Sequence, residues 1–230
     1  MKMTLRSLAV LLCYPSHELK LHVGEIRDAL RHEAALSRQT LQRLEVLLGQ
    51  IERERLLDLQ AAYCDLFDRS RKFSLHLFEH VHGDSRERGP AMIDLGQEYI
   101  DHGFLMTTEE LPDFIPVFLE FLSCQPPAGV RDWLSQPAHV FAALEERLRD
   151  SGSPYAAIFH ALLELPHARP DREAVEALHD AMRDEDEKTI DELWEEAPVS
   201  FAPPVPQGTA AAVAARIKAA QESVITILKS

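Results

Sequence analysis

The stretch ELPDFIPVFLEFL, Glu110–Leu122, carries apolar side chains on nearly every side of the helix that its pattern predicts. The apolar positions are Leu111, Phe114, Ile115, Val117, Phe118, Leu119, Phe121 and Leu122. A helix that is apolar all round is buried on most of its sides, so we expect this one at the centre of the molecule. Pro112 suits a first turn, where a missing N–H costs little, and Pro116 either kinks the helix or marks its true start.

Further helical patterns lie on both sides of this segment. Apolar residues recur at spacings of three and four, Ser16 and Ser37 can cap two of the helices, and Gly103 suits the end of another. The helical segments are 5–12, 16–30, 37–48, 56–67, 94–101, 137–149, 154–165 and 170–183, and the stretch between 66 and 92 is irregular. The sequence lacks the alternating β-branched runs and Asn-Gly turns of a sheet protein. The predicted fold is all-α, a single compact helical bundle.

The chain has 230 residues and is 46% hydrophobic, which suits one domain of ordinary size with an appendage. Its character changes after Trp194. Residues 197–208 contain four prolines and predict an extended Pro-rich linker, and residues 209–230 predict an Ala-rich amphipathic helix. We therefore predict a helical domain over residues 1–196, followed by the linker and the C-terminal helix.

The formal net charge of −14 argues against a nucleic-acid partner, because phosphate would be repelled. The charge is concentrated in two segments. No Lys or Arg occurs between Arg88 and Arg131, where seven acids lie, and a second acidic block spans 184–196. The second block is most simply a solvated surface. The first surrounds the apolar segment and predicts attraction of a basic partner.

Cysteine and hydropathy patterns exclude several classes of protein. The three cysteines are widely spaced and form no CxxC pair, so we expect buried free thiols and no disulfide framework. No run approaches the roughly 20 apolar residues of a membrane span. The N-terminal segment lacks a small-residue cleavage site and predicts a helix, so we expect a cytoplasmic protein that does not insert into a membrane.

One short motif suggests a metal site. His76, Glu79 and His80 match the H-x-x-E-H pattern of zinc peptidases, in which two imidazoles one helical turn apart bind zinc. The pattern fixes only three residues, a third ligand would have to come from elsewhere, and Gly83 ends the segment early. We predict no metal site and no catalytic site, and keep the peptidase as an alternative.

The surrounding segment, Tyr63–Met92, holds five basic and five acidic residues interleaved with Leu and Phe. This pattern fits either a salt-bridged surface loop or a polar groove that binds a peptide.

Three segments carry a family resemblance: YCDLFDRSRKFSLHLFEHVHGDSRERGPAMIDL (Tyr63–Leu95), ELPDFIPVFLEFL (Glu110–Leu122) and LLCYP (Leu11–Pro15). They resemble the nitrate reductase molybdenum cofactor assembly chaperones, the delta-subunit family within the TorD/DmsD-like group of redox-enzyme maturation chaperones. The likeness covers about Leu5 to Phe201, and LFEHVHGDSRERG is its most specific part.

The resemblance implies a TorD-like helical bundle without catalytic activity. It implies that the partner is the alpha subunit of a membrane-bound respiratory nitrate reductase, bound through its basic N-terminal segment. The chaperone would keep this subunit competent for insertion of bis-molybdopterin guanine dinucleotide before membrane docking, without binding the cofactor stably itself. The same residues also fit a chaperone for a different molybdoenzyme or an inert helical scaffold.

The resemblance also implies site residues. The wider group's signature reads Glu, Pro, Asp, His, which Glu110, Pro112 and Asp113 match, whereas Phe114 stands in place of the His. Asp113 is therefore an expected peptide contact, and no histidine role is carried over. Phe78 and Phe114 are expected either to line an apolar wall or to lie in the core. The candidate partner-binding residues are Tyr14, Phe78, Glu79, His80, His82, Asp84, Arg86, Glu110, Pro112, Asp113 and Phe114.

Overall fold

The computed structural model describes residues 1–69, 71–83, 85–106, 110–166 and 170–186. The helices in these ranges are α1 (Lys2–Leu12), α2 (His17–Leu21), α3 (Val23–Glu33), α4 (Arg38–Arg53), α5 (Leu56–Phe67), α6 (Leu77–His82), α7 (Arg88–Asp101), α8 (Ile115–Ser123), α9 (Pro127–Ser135), α10 (Ala138–Asp150), α11 (Ala156–Glu164) and α12 (Arg172–Asp186). A 3-10 turn covers Arg71–Phe73. The all-α prediction is confirmed.

The chain divides into two compact units, Met1–Asp171 and Arg172–Ser230. The first unit is the helical bundle, and α12 is the described part of the second. The predicted Pro-rich linker and C-terminal helix lie outside the described residues. No described helix is both long and apolar enough to cross a bilayer.

Helix α8 is the centre of the bundle, as its sequence predicts. Every residue of α8 except Glu120 is buried, and the helix packs along α1. Pro116 lies in the first turn, so it marks the true start of the helix and costs it no hydrogen bond. The predicted helical residues 110–114 precede the helix, and Phe114 has extended backbone.

A chain of pairwise helix contacts connects α1 to α3, α4, α11 and α10. Helix α1 also contacts α3, α3 contacts α4, α4 contacts α11, and α11 pairs with α10. Trp133 of α9 packs edge-on against Phe121 of α8, with the two ring centroids 5.4 Å apart. The core is therefore a continuous layer of aliphatic and aromatic side chains.

The predicted caps are confirmed. The Ser16 hydroxyl accepts the Leu19 N–H at 3.0 Å, and the Ser37 hydroxyl accepts the Thr40 N–H at 3.2 Å. The helix predicted over 16–30 is broken at His22, whose N–H donates to two carbonyls of the preceding turn. This tightens the end of α2 and starts α3 in a new direction.

The three cysteines are free, and two of them are half-buried. Cys124 is exposed, contrary to the predicted burial, because it follows the last turn of α8 where the chain leaves the core.

Two helix starts are held by carboxylates from distant helices. Glu33 accepts the N–H groups of Met3 and Thr4 at the start of α1, the Thr4 hydroxyl, and the Met1 ammonium 2.7 Å away. Glu164 of α11 accepts the Ser37 N–H at the start of α4. Although burial opposes ionisation, these hydrogen bonds lower the pKa of Glu33 from 4.5 to about 2.

The Glu33→Gln variant tests the first of these links. We expect it to lower the free energy of unfolding by about 1–2 kcal/mol at pH 7, because a charged acceptor of several donors is lost. A lowered pKa stabilises the fold above the unfolded pKa. The difference from wild type should therefore shrink as pH falls from 4.5 toward 2. Urea titrations across this range measure it. The exposed control Asp28→Asn should behave as wild type, and a difference that is constant with pH would contradict the role of the Glu33 charge.

Candidate functional site

The segment before α6 is joined to the segment before α8. The Leu77 N–H donates to the Asp113 carbonyl at 3.0 Å, and the Ile115 N–H donates to the Leu75 carbonyl at 2.8 Å. These bonds form an isolated antiparallel bridge between His76 and Phe114. Two regions about 35 residues apart in sequence therefore meet at one junction.

Asp113 lies inside this junction and is 0% exposed. One carboxylate oxygen accepts the Phe78 N–H at 3.0 Å, and the other lies 3.1 Å from Nδ1 of His76. Helix α6 has no side-chain cap of its own, so Asp113 supplies one from across the junction. In this structure the carboxylate positions α6 and does not face the surface, where a basic ligand would meet it.

Pro112 and Phe114 are anchored on either side of Asp113. The Pro112 carbonyl accepts the Tyr99 hydroxyl at 2.8 Å. Burial, followed by the charge of Asp113, raises the pKa of Tyr99, which keeps this phenol a donor. The Phe114 ring lies 5.2 Å from the His76 ring, and Phe78 and Phe114 are both half-buried.

His80 is buried in the core, 6% exposed. Its Nε2 lies 2.8 Å from the Ser74 carbonyl, which can only accept, so this nitrogen carries the proton. Burial, assisted by the charge of Arg147, lowers the pKa of His80 to about 4, although the Ser74 hydrogen bond opposes the shift. His80 is therefore a neutral structural side chain at neutral pH.

The two imidazoles of the H-x-x-E-H motif do not face a common point where a metal ion could bind. His76 lies before α6 and faces Asp113, whereas His80 faces the Ser74 carbonyl. Within the described ranges no group of three or more His, Cys, Asp or Glu side chains is placed to hold a metal ion.

Of the other predicted groove residues, Phe78, Glu79 and His82 lie on α6, and Arg86 lies between α6 and α7. Glu79 forms an ion pair with Arg88 at 3.1 Å, and the Phe78 and His82 rings are 5.4 Å apart. The His82 Nε2 is buried with no hydrogen-bond partner among the described residues, and burial lowers the pKa of His82. Arg86 is exposed, and Asp84 lies outside the described residues.

Tyr14 and Glu110 lie on a different, exposed surface. Tyr14 is 50% exposed, and its ring packs edge-on against buried Tyr63 at 5.6 Å. Burial, followed by the charges of Glu110 and Glu120, raises the pKa of the neighbouring Cys13 to about 11, so both acids lie within electrostatic range of this thiol. Both carboxylates are exposed.

We call Val10, Tyr14, Glu110 and Glu120 the Tyr14 surface. Val10 is 44% exposed and lies on the last turns of α1. An exposed aromatic ring and an aliphatic side chain beside two carboxylates can bind a ligand that is both apolar and cationic. Sequence reasoning named Tyr14 and Glu110 but missed Val10. The sequence of α1 does not distinguish Val10 from the buried apolar residues around it. Only the packing shows that Val10 stays exposed.

Comparison with known proteins identifies similar chains. The nitrate reductase delta subunit family model matches residues 26–161. The nitrate reductase molybdenum cofactor assembly chaperone NarJ of Escherichia coli K12 is 39% identical over 192 residues, 83% of this chain and 81% of the relative. The nitrate reductase-like protein NarX of Mycobacterium tuberculosis H37Rv is 31% identical over 148 residues, 64% of this chain and 22% of that protein.

The fold is also similar to a solved one. A crystal structure assigned to a redox enzyme maturation protein from Archaeoglobus fulgidus has a TM-score of 0.50. The sequences are 21% identical, and the match covers 70% of this chain and 91% of that chain.

The pKa of His80 predicts a pH dependence of stability. The unfolded imidazole takes up a proton below pH 6.5 and the folded one only near pH 4, so stability should fall as pH falls through this window, by about 3 kcal/mol in full. His80→Gln retains a donor for Ser74 and should remove this part of the loss. Denaturant titrations from pH 7 to pH 4 measure it, with the exposed His32→Gln as control. An unchanged pH profile in His80→Gln would refute the assignment.

The Asp113 cap predicts local opening of α6. Asp113→Asn replaces the charged acceptor of the Phe78 N–H with a neutral, weaker one and should speed hydrogen exchange of the α6 amides about tenfold, through a loss of about 1–2 kcal/mol. The matched control is Glu164→Gln, which should speed exchange at the start of α4 and leave α6 unchanged. Exchange that rises equally along the whole chain in both variants would show a global effect instead.

Proposed function

Because the chain belongs to the nitrate reductase delta subunit family, we propose that it is a system-specific assembly chaperone for the alpha subunit of a respiratory nitrate reductase. It binds the basic N-terminal segment of that subunit in the cytoplasm. It keeps the subunit competent for insertion of bis-molybdopterin guanine dinucleotide and delays membrane docking until the cofactor is in place. The chaperone itself catalyses no reaction, and the cofactor is cargo of the partner.

The observation that carries this proposal is the Tyr14 surface. A basic, partly apolar segment needs carboxylates for its cations and an apolar platform for its hydrophobic side chains. Glu110 and Glu120 supply the carboxylates, and Tyr14 and Val10 supply the platform. No Lys or Arg occurs between Arg88 and Arg131 in the sequence, and the guanidinium of Arg6 on α1 donates to the Ser123 hydroxyl at 3.2 Å.

The edge-on packing of Tyr14 on Tyr63 prepares this platform. Tyr63 is buried, and its hydroxyl donates to the Leu12 carbonyl at 2.8 Å, which fixes the end of α1. Phe67 and Tyr155 pack around Tyr63 at 4.8 and 6.3 Å. The exposed ring therefore stands on a rigid aromatic cluster and loses little conformational freedom when a ligand binds.

The chaperone can both hold and release the partner segment, because it uses exposed ion pairs together with a small apolar contact. Exposed ion pairs contribute only about 0.2–1 kcal/mol each, so Glu110 and Glu120 attract the segment without trapping it. The remaining affinity comes from covering Tyr14 and Val10. Covering the segment keeps it from other surfaces, the membrane among them, and the loss of a few contacts is enough for its release.

A calorimetric titration with a synthetic peptide of the alpha-subunit N-terminus tests the proposed function. We expect saturable binding of the true sequence and little binding of a scrambled peptide of equal charge. The double variant Glu110→Lys/Glu120→Lys should weaken binding at least about tenfold, because two attractions become repulsions.

The exposed pair Asp28→Lys/Asp150→Lys is the matched control, with the same change of net charge on α3 and α10. Equal losses in the two double variants would mean that only the net charge matters. Equal binding of true and scrambled peptides would mean that the surface collects cations without recognising a sequence.

A further inference from the structure

Helix α5 donates side-chain hydrogen bonds to the chain on both sides of Tyr14. The Tyr63 hydroxyl donates to the Leu12 carbonyl at 2.8 Å. The Gln60 side-chain amide donates to the Pro15 carbonyl, also at 2.8 Å. Residues three apart face the same side of a helix, so one side of α5 holds the chain before and after Tyr14.

The segment Cys13–Pro15 continues neither of the helices that it joins. Helix α1 ends at Leu12, and Cys13 has extended backbone. Pro15 has no N–H to donate, and it restricts Tyr14, the residue before it, to extended conformations. The last carbonyls of a helix have no donor within that helix. Donors from α5 therefore satisfy the carbonyls that flank Tyr14.

The two donors hold different ends of this segment. The Tyr63 hydroxyl holds the end of α1, which the packing of α1 along α8 also fixes. The Gln60 amide holds the Pro15 carbonyl, on the other side of Tyr14. Gln60 is half-buried, so its hydrogen bond is partly shielded from competing water. Because of Gln60, the main chain directly after Tyr14 has a hydrogen-bonded anchor as well.

We propose that Gln60 is a positioning residue of the Tyr14 surface: its hydrogen bond to Pro15 holds the main chain of Tyr14 where the exposed ring meets the ligand. Gln60 acts through Tyr14 and not by touching the ligand. The inference rests on the proposed function, since the ligand is the alpha-subunit segment and the surface is the one assigned to it.

The benefit of such positioning is conformational entropy. A ring whose main chain is anchored on both sides needs little further ordering when a ligand covers it, whereas a ring on a mobile segment must be ordered by the ligand itself. The anchored ring also keeps its edge-on contact with Tyr63 at 5.6 Å. Loss of the Gln60 hydrogen bond should therefore weaken ligand binding about fivefold, although no ligand contact is removed.

Two substitutions remove the Gln60 donor in different ways. Gln60→Leu is close in volume and uncharged, and Gln60→Glu keeps the shape but presents a carboxylate to the Pro15 carbonyl. Calorimetry with the synthetic alpha-subunit N-terminal peptide should give binding about fivefold weaker than wild type for both variants. The charge added in Gln60→Glu by itself attracts a basic peptide, so weaker binding of that variant reports the lost donor.

Gln97 supplies the matched controls. Its amide donates to Asp101 on α7 at 2.8 Å, and both residues are exposed. Gln97→Leu and Gln97→Glu should bind the peptide as wild type does, and all four variants should melt within a few degrees of wild type. Equal losses of affinity at the two positions would overturn the assignment, because any lost glutamine would then have the same effect.

A double-mutant cycle tests whether Gln60 acts through Tyr14. Tyr14→Ala should weaken peptide binding, and adding Gln60→Leu to it should cost no more than about a further twofold, because no ring is left to position. Losses that multiply in the double variant, or an unchanged affinity of Tyr14→Ala, would overturn the inference.

NMR relaxation of the Tyr14 ring in the ligand-free chaperone gives a readout that does not depend on the peptide. The order parameter of the ring should fall in Gln60→Leu and stay unchanged in Gln97→Leu. A ring that is equally ordered in both variants and in wild type would show that Gln60 does not position it.

Failure of the inference and failure of the proposed function give different results. If the peptide binds wild type and both Gln60 variants with the same affinity, the inference fails while the proposed function stands. If the peptide does not bind wild type at all, the proposed function fails, and the role of Gln60 in binding fails with it.

Discussion

The carboxylate of Asp113 holds together the junction between the start of α6 and the segment before α8. It is fully buried, caps α6 through the Phe78 N–H, and faces His76, while the main chain on either side bonds to the strand-like segment before α6. A buried charge is tolerated only when donors surround it, so these contacts are mutually required. They hold the start of α6 beside the segment that precedes α8, and the Glu79–Arg88 pair links α6 to the start of α7.

The polar residues around this junction form two groups, one buried and one exposed. Asp113, His80 and Tyr99 face inward and satisfy one another or the main chain. Glu110 and Glu120 face outward beside Tyr14, and the acids of α7 lie beside isoleucines. The sequence motif therefore contains both buried residues that shape the surface and exposed residues that form it, and burial separates them.

Much of the fold could be predicted because its signals are local. The Ser16 and Ser37 caps and the role of Pro116 depend on residues within one turn. Helix α6 could not be predicted, because its cap comes from Asp113, 35 residues away. At the site, the motif places His80 in the groove, and only the packing shows that this histidine lies in the core.

Exposed acids and exposed apolar groups contribute differently to the affinity of a chaperone that must also release its ligand. Carboxylates in water attract a basic segment from a distance and speed its arrival, but each adds little to the affinity of the complex. Apolar groups act only on contact, and those of the Tyr14 surface are Tyr14 and Val10. On the proposed function, a ligand that offers charge alone gains too little to stay, whereas a segment that also covers Tyr14 and Val10 is held until folding or docking of its own subunit withdraws those contacts. In that proposal selectivity and release have the same physical origin, which is the division of a modest binding energy between charged and apolar contacts.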